Sequence, residues 1–345
     1  MMRALVLAAG SATRLRPLSP DLPKPLAPVA NRPVLAWVLD HLDTAGVTEI
    51  GVIVPAGALS LYQRVLGGRT PAGTPIAWLG EPQPVGSAGA LRDQRAFIGQ
   101  GPVLVVPADI ICPVDLRGMI AHHAAHRRPV TVAASWRDPR VWDGDILVPS
   151  PGHTACYLFK PGPAAPSRLG STGTWLIEAA LLDRISPAGF VDLSSRTLPA
   201  LSPSEVGLFD AGEVYLRDVG TVATLLRGNL DAVQQVTGAP LSPTRPGTRV
   251  MVEPGAFIEE GAAVNGPVLI GAGALVRSGA RVLGPAVIGA GAVLGVHCQV
   301  ERALVLPGAL VAPGQKVSGE VVGDGATAVR ALLDHAPVNH AQQRS

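Results

Sequence analysis

The sequence predicts an α/β protein: a Rossmann-like, mostly parallel sheet with helices on both faces, followed by a β-helix of hexapeptide repeats. Three observations carry this. Short apolar runs alternate with helix-patterned segments from the amino terminus onward. The run Val103–Pro107 is apolar without alternation, as in a strand buried on both faces. From Val252 on, aliphatic residues recur every six positions.

Composition sets the outer bounds. A chain of 345 residues is long enough for two domains at roughly 100–200 residues each. Its net charge of +2 makes no case for nucleic-acid binding. Apolar residues make up 47% and charged residues only 16%, so a large core is available. Cys112, Cys156 and Cys298 are odd in number and widely spaced, with no zinc or CxxC pattern, so a reduced cytoplasmic compartment is expected. The apolar start at Ala4–Ala9 is too short for a signal peptide, and no run approaches the ~20 apolar residues of a membrane span.

The first element is that apolar start, read as a strand. It ends in small residues, Ala8-Ala9-Gly10-Ser11-Ala12, followed by Thr13, Arg14 and, ten positions later, Lys24. Small residues let main-chain N–H groups from Leu7 to Thr13 close on a ligand, which makes an anion-binding nest. Arg14 offers a planar fork for phosphate oxygens and Lys24 a point charge. Val34–Ala45 has helical spacing and closes at Gly46; Glu49–Val54 and Ile76–Leu79 read as strands. A second glycine-rich loop, Glu81–Leu91, leads into helix-forming sequence.

Asp109 follows Val103–Pro107 at its carboxyl end, where open α/β sheets place their ligands. A carboxylate there suits Mg²⁺, which takes oxygen donors and few of them from protein. The next helix carries His122, His123 and His126; His122 and His126 share a face, but with no third ligand in view a solvated face is expected. Val130–Ala134 is a strand, Asp138–Ser150 a polar loop or hairpin, and Leu225–Gln235 a helix bearing Asn229 and Asp231 that closes a first domain at 1–237.

A Pro/Gly/Ser-rich linker spans 238–249. The repeat then places Val252, Ile258, Val264, Ile270, Val276, Val282, Ile288, Leu294, Val300 and Leu306 six apart, with small residues such as Ala274, Ala280 and Ala292 four places on. This implies a β-helix over 250–322 of about three coils, each face contributing one inward aliphatic side chain. A polar tail, 323–345, has room for one short helix.

The loop, Arg14 and the spaced Pro23-Lys24-Pro25-Leu26 together resemble the opening of the sugar-1-phosphate nucleotidylyltransferases. That resemblance implies an NTP and a hexose 1-phosphate as partners. It gives Leu7, Ala8, Ala9, Gly10, Ser11, Ala12 and Thr13, with Arg14 and Lys24, to the triphosphate, and Gln83, Gly86 and Ser87 to the base. Val214–Thr221 is similar to the family's Tyr-Trp-x-Asp-Ile-Gly-Thr, which makes Asp218 a second Mg²⁺ ligand beside Asp109. Lys160-Pro161 matches a lysine that contacts the sugar-phosphate, and Ser171-Thr172-Gly173 stands where Asn-Ala-Gly contacts the sugar. The β-helix resembles the left-handed one that some members carry, expected here to pack subunits into a homo-oligomer rather than transfer acyl groups through its single histidine, His297.

Two departures stand out. Ala12 replaces a glycine, at a cost on the order of 1–2 kcal/mol if its φ is positive. Phe159 replaces the glutamate that holds sugar hydroxyls. The expected reaction is attack by a sugar-phosphate oxygen on the α-phosphorus of the NTP, expelling pyrophosphate. Asp109-Ile-Ile-Cys112 looks like the mannose-1-phosphate guanylyltransferase branch and favours GTP. Gln83 instead suits a pyrimidine edge, which keeps dTTP with glucose 1-phosphate as the alternative. The departures would also suit a weakened, nucleotide-sugar-binding regulatory subunit.

Overall fold

The computed structural model describes residues 2–10, 13–18, 21–138, 141–234 and 250–334. Their contacts gather into two compact units: one from Met1–Gly10, Val38–Gln63 and Gly67–Leu216, the other from Ser11–Trp37, Arg64–Leu66 and Arg217–Ser345.

The first unit is built on a nine-stranded sheet. Its strands are β1 (Arg3–Leu7), β2 (Glu49–Pro55), β3 (Ile76–Glu81), β4 (Val103–Pro107), β5 (Val130–Trp136), β6 (Ile146–Ser150), β7 (Thr154–Leu158), β8 (Leu169–Ile177) and β9 (Val206–Asp210), in spatial order β3-β2-β1-β4-β8-β5-β9-β7-β6. Pairings are parallel from β3 to β4 and between β5 and β9, whereas β8 runs against β4 and β5, and β7 against β9 and β6. All strands but β7 and β8 therefore point the same way; the carboxyl ends of β1–β4 share one edge, whereas β6 is displaced along the sheet, its last residue Ser150 meeting Thr154 opposite Gly207 near the start of β9. The central position of β4 explains its unbroken apolar sequence: Val103, Leu104 and Val105 are fully buried.

Helices α1 (Val34–Thr44), α2 (Leu59–Leu66), α3 (Gly86–Asp93) and α4 (Leu116–His126) follow the strands, as the alternation of patterns implies. Asp115 caps α4 by accepting from the Gly118 N–H at 2.9 Å. The expectation of a solvated histidine face on α4 is corrected in two ways. His123 is buried, between the Thr131 hydroxyl at 2.8 Å and Glu178 at 3.1 Å. His122 and His126 meet His153, which the turn between β6 and β7 supplies from 27 residues downstream of His126.

The second unit contains the loop of Arg14 and Lys24, helix α5 (Val222–Val233), the β-helix and helix α6 (Gly325–Asp334). The β-helix has faces of five, four and four parallel strands, which is four coils and a fifth strand rather than about three coils. Successive coils pair 18 residues apart, as in Met251–Leu269–Val287. The spacing then drops to 17, with Val287 facing Leu304 and Val293 facing Leu310. One residue is lost at a corner, where Arg302, with φ 48°, stands in place of the Gly284-Pro285 pair one coil earlier. The partner of Ile288 is accordingly Val305, not the Leu306 of a strict six-residue count.

Within the stack Val276, Val282, Ile288 and Leu294 are fully buried, while Val252, in the first coil with no coil beyond it, is 50% exposed. No described helix is long and apolar enough to cross a membrane.

Candidate active site

In the second unit, Asp218 gathers the two cations of the signature loop. Its carboxylate lies 2.8 Å from Lys24 Nζ and 3.8 Å from Arg14 Nη2. Lys24 is largely buried and Arg14 mostly exposed, so the lysine is the better fixed of the two. The loop is held by what packs on it. Asn229, fully buried on α5, accepts from the Ala30 N–H and donates to the Pro28 and Leu225 carbonyls, each at 2.9 Å. Asp231, also buried, ion-pairs with Arg217 at 3.0 Å and Arg227 at 2.7 Å, which anchors the residue next to Asp218. Asn31 donates to the Ile288 carbonyl of the β-helix at 3.2 Å. Gly325, the first residue of α6, lies so close to the Leu18 carbonyl that a Cβ there has no room.

In the first unit, β1 delivers the opening of the small-residue loop. The Leu7 carbonyl accepts from Ala108 and the Ala8 N–H donates to Ile53, so these two positions extend the sheet. Ser11 and Ala12 lie outside the described residues, as does the Thr13 side chain; Gly10 has no atom within 4 Å of a would-be Cβ. Asp109 follows β4 at the shared carboxyl edge. Its negative charge adds to burial in raising the pKa of Tyr62 on α2. Burial likewise pushes the Cys112 thiol up to about 12, which leaves it no nucleophilic role.

The Ser171–Gly173 segment forms an irregularity in the pairing of β8 with β5. Gly173 sits there at φ 77°, and a Cβ on it would lie 3.3 Å from Pro107 and 3.6 Å from Ile110, the residues that flank Ala108 and Asp109. The fold thus brings Gly173 against the residues on either side of Ala108-Asp109 in the chain. Lys160 is exposed, in the left-handed region at φ 40°.

Its N–H donates at 3.3 Å to Asp145, a residue the sequence reading did not single out. Asp145 also accepts from the Tyr157 hydroxyl at 2.5 Å, and its carbonyl accepts from the Ser171 N–H at 2.9 Å. Burial raises its carboxyl pKa, against the lowering effect of those donors. An acidic group therefore does stand beside Phe159-Lys160, supplied by a strand-leading loop rather than by the preceding residue. Nothing in its own spacing marks it among the aspartates of Asp138–Asp145.

The base loop joins the same network. Gln83 is exposed, whereas Gly86, at φ 79°, lies against the Val191 carbonyl where a Cβ would clash. The Ser87 hydroxyl donates to Asp192 at 2.8 Å and accepts from the Leu193 N–H at 2.7 Å, so its side chain is committed to shaping the loop. Ser194, in the same segment, lies 3.2 Å from the Tyr157 hydroxyl. A chain of bonds hence runs from Ser87 through 192–194 and Tyr157 to Asp145 and Lys160.

The chain is 28% identical over 273 residues to a mannose-1-phosphate guanylyltransferase of Mycobacterium tuberculosis, covering 78% of this chain and 74% of that one. It is 29% identical over 276 residues to a mannose-1-phosphate guanyltransferase of Aspergillus fumigatus, covering 74% and 73%. A solved structure from Bacillus anthracis, described as a glucose-1-phosphate thymidylyltransferase with sucrose, shares the fold at a TM-score of 0.58 and 20% identity, over 66% of this chain and 94% of that one. The model of the nucleotidyl transferase family matches residues 3–235. The chain belongs to that family, and within it to the sugar-1-phosphate nucleotidylyltransferases that its opening loop resembles.

Proposed function

We propose that the chain transfers the guanylyl group of GTP to mannose 1-phosphate. A sugar-phosphate oxygen forms a bond to the α-phosphorus, and the bond from that phosphorus to the β-phosphate bridging oxygen breaks, releasing pyrophosphate. The nucleophile is already an anion, so no strong base is needed; positioning and charge neutralisation remain as the work of the protein. The observation that carries the reading is the packing of the Ser171–Gly173 irregularity against Pro107 and Ile110, beside Asp109. The guanylyltransferase relatives and the Asp109-Ile-Ile-Cys112 run support the choice of substrates.

Arg14 and Lys24 are proposed to neutralise the β- and γ-phosphates, and the amides of Ala9–Thr13 to cradle them. Gln83 would face the base, Lys160 the sugar-phosphate, and Ser171 with Asp145 the sugar hydroxyls. Proteins of this family generally use a divalent metal ion. Asp109 in the first unit and Asp218 in the second are each proposed as a carboxylate ligand for Mg²⁺. Their oxygen donors suit a hard cation, and Asp218 already pairs with two cationic side chains. When bound, the ion would add charge neutralisation at the transferred phosphate.

The exposed amide of Gln83 supports dTTP with glucose 1-phosphate as the second reading. Pyrophosphate release, measured with four NTPs against mannose 1-phosphate and glucose 1-phosphate, separates the two. The expected result is turnover with GTP and mannose 1-phosphate that falls about 10²–10³-fold in Asp109→Ala. Turnover confined to dTTP would overturn the substrate assignment. Ligand-induced thermal shift without turnover would mark a regulatory subunit.

A further inference from the structure

The histidines of α4 have no part in this chemistry, and their placement asks for another explanation. His122 and His126 lie one helical turn apart, with ring centroids at 4.5 Å. His153 completes a triangle, with centroids 5.4 Å from His122 and 4.5 Å from His126. One ring nitrogen from each can be chosen so that all lie within 4.8 Å of one another. Among the described residues, His122 Nε2 is buried with no hydrogen-bond partner, an arrangement that is unfavourable unless something fills the position. The Phe209 ring stands edge-on to His122 at 5.6 Å and fixes its orientation. His153 is held by the turn itself, in the left-handed region at φ 58°, directly after Gly152 at φ 75°.

We propose that His122, His126 and His153 form a binding site for a divalent transition-metal ion, with Zn²⁺ as the best-suited occupant. Three neutral imidazoles suit Zn²⁺, Co²⁺, Ni²⁺ or Cu²⁺, and do not suit Mg²⁺ or Ca²⁺, which take oxygen. Tetrahedral zinc with bonds of about 2.1 Å holds its nitrogens roughly 3.4 Å apart. Small rotations of His126 and the exposed His153 close that gap around the fixed His122. Among the described residues no carboxylate belongs to the cluster, and Arg127 and Arg128 follow His126 directly, so the fourth position falls to water or a small anion.

The topology separates this site from the transferase chemistry. Thr154 pairs with Gly207 and the His153 carbonyl accepts from the Leu208 N–H at 2.8 Å, so His153 lies beside the first half of β9, away from its carboxyl end. Asp109 lies at the carboxyl edge. A bound ion would clasp the end of α4 to the β6–β7 hairpin, holding the sheet's last strands from the end opposite to Asp109.

The test uses the untagged full-length chain, stripped with chelator and titrated with Zn²⁺ or Co²⁺ in the absence of nucleotide. Expected are saturation at one equivalent per chain, visible Co²⁺ absorption of a low-coordinate nitrogen site, and a Zn²⁺-dependent rise in Tm. His126→Gln and His153→Gln should each weaken Zn²⁺ at least about tenfold, while turnover with Mg²⁺, the check on folding, stays unchanged. Absence of saturable binding would overturn the proposal. So would Zn²⁺ binding that survives His153→Gln and disappears in Asp109→Ala. Failure of the nucleotidyl-transfer reading would leave both metal-binding outcomes readable.

Discussion

Two aspartates, one in each unit, are held in opposite ways. Asp145 is half-buried and held chiefly by uncharged donors, the Tyr157 hydroxyl, the Lys160 N–H and the nearby Ser194, with the Lys160 charge the smallest influence on it. Asp218 is held by charges, Lys24 at 2.8 Å and Arg14 at 3.8 Å. The first environment raises the cost of ionisation and leaves an oxygen suited to accept from a sugar hydroxyl. The second ties the carboxylate to the cations proposed for the triphosphate. The same side chain is thereby fitted for orientation in one unit and for charge management in the other.

The largest expected effect tests the charged half of that comparison. Asp218→Asn keeps the shape and removes the charge, so turnover in the pyrophosphate-release assay should fall about 10²–10³-fold. An unchanged rate would remove the distinction between the two aspartates.

Next comes the scaffold beneath Lys24. Asn229→Ala removes the side-chain bonds to the Ala30 N–H and to the Pro28 and Leu225 carbonyls in a fully buried place. A loss on the order of 2–3 kcal/mol in urea denaturation is expected, with a higher KM for NTP as the Arg14–Lys24 loop loosens. A stable variant with unaltered KM would show that the loop is held by other contacts.

The smallest effect sharpens the neutral half. Burial raises the folded-state pKa of Asp145 above its unfolded value, so the folded protein holds that proton more tightly. Its contribution to stability is full below about pH 3.9 and is lost as pH rises through the folded value. The wild-type denaturation midpoint should therefore fall relative to Asp145→Asn between about pH 4 and neutrality. Parallel profiles for the two proteins would show that Asp145 ionises as freely as a surface carboxylate.

Much of the fold was legible along the chain, because strands and coils announce themselves by local repetition. The bounds of β4 could be read from Val103–Pro107 alone, and the six-residue pattern found the β-helix. It lost register where a single residue was dropped at Arg302, since a period carries no information about its own interruption, and it gave about three coils where the structure has four and a fifth strand. The signature loop likewise named Arg14, Lys24 and, by family resemblance, Asp218, which the fold then brings together in one unit.

What the linear order left open is whatever depends on two distant segments meeting. Asp145 looks like any surface aspartate until Tyr157 and Lys160 are beside it, and His122 and His126 lack a third partner until the β6–β7 turn supplies His153. Sequence by itself determined the periodic elements and the local motif, for those are set by side-chain spacing of two, 3.6 or six residues. Tertiary structure alone decided which acid stands next to Lys160 and which imidazoles converge. Those choices follow from strand order and register, and each is a single long-range pairing that leaves no repeat to read.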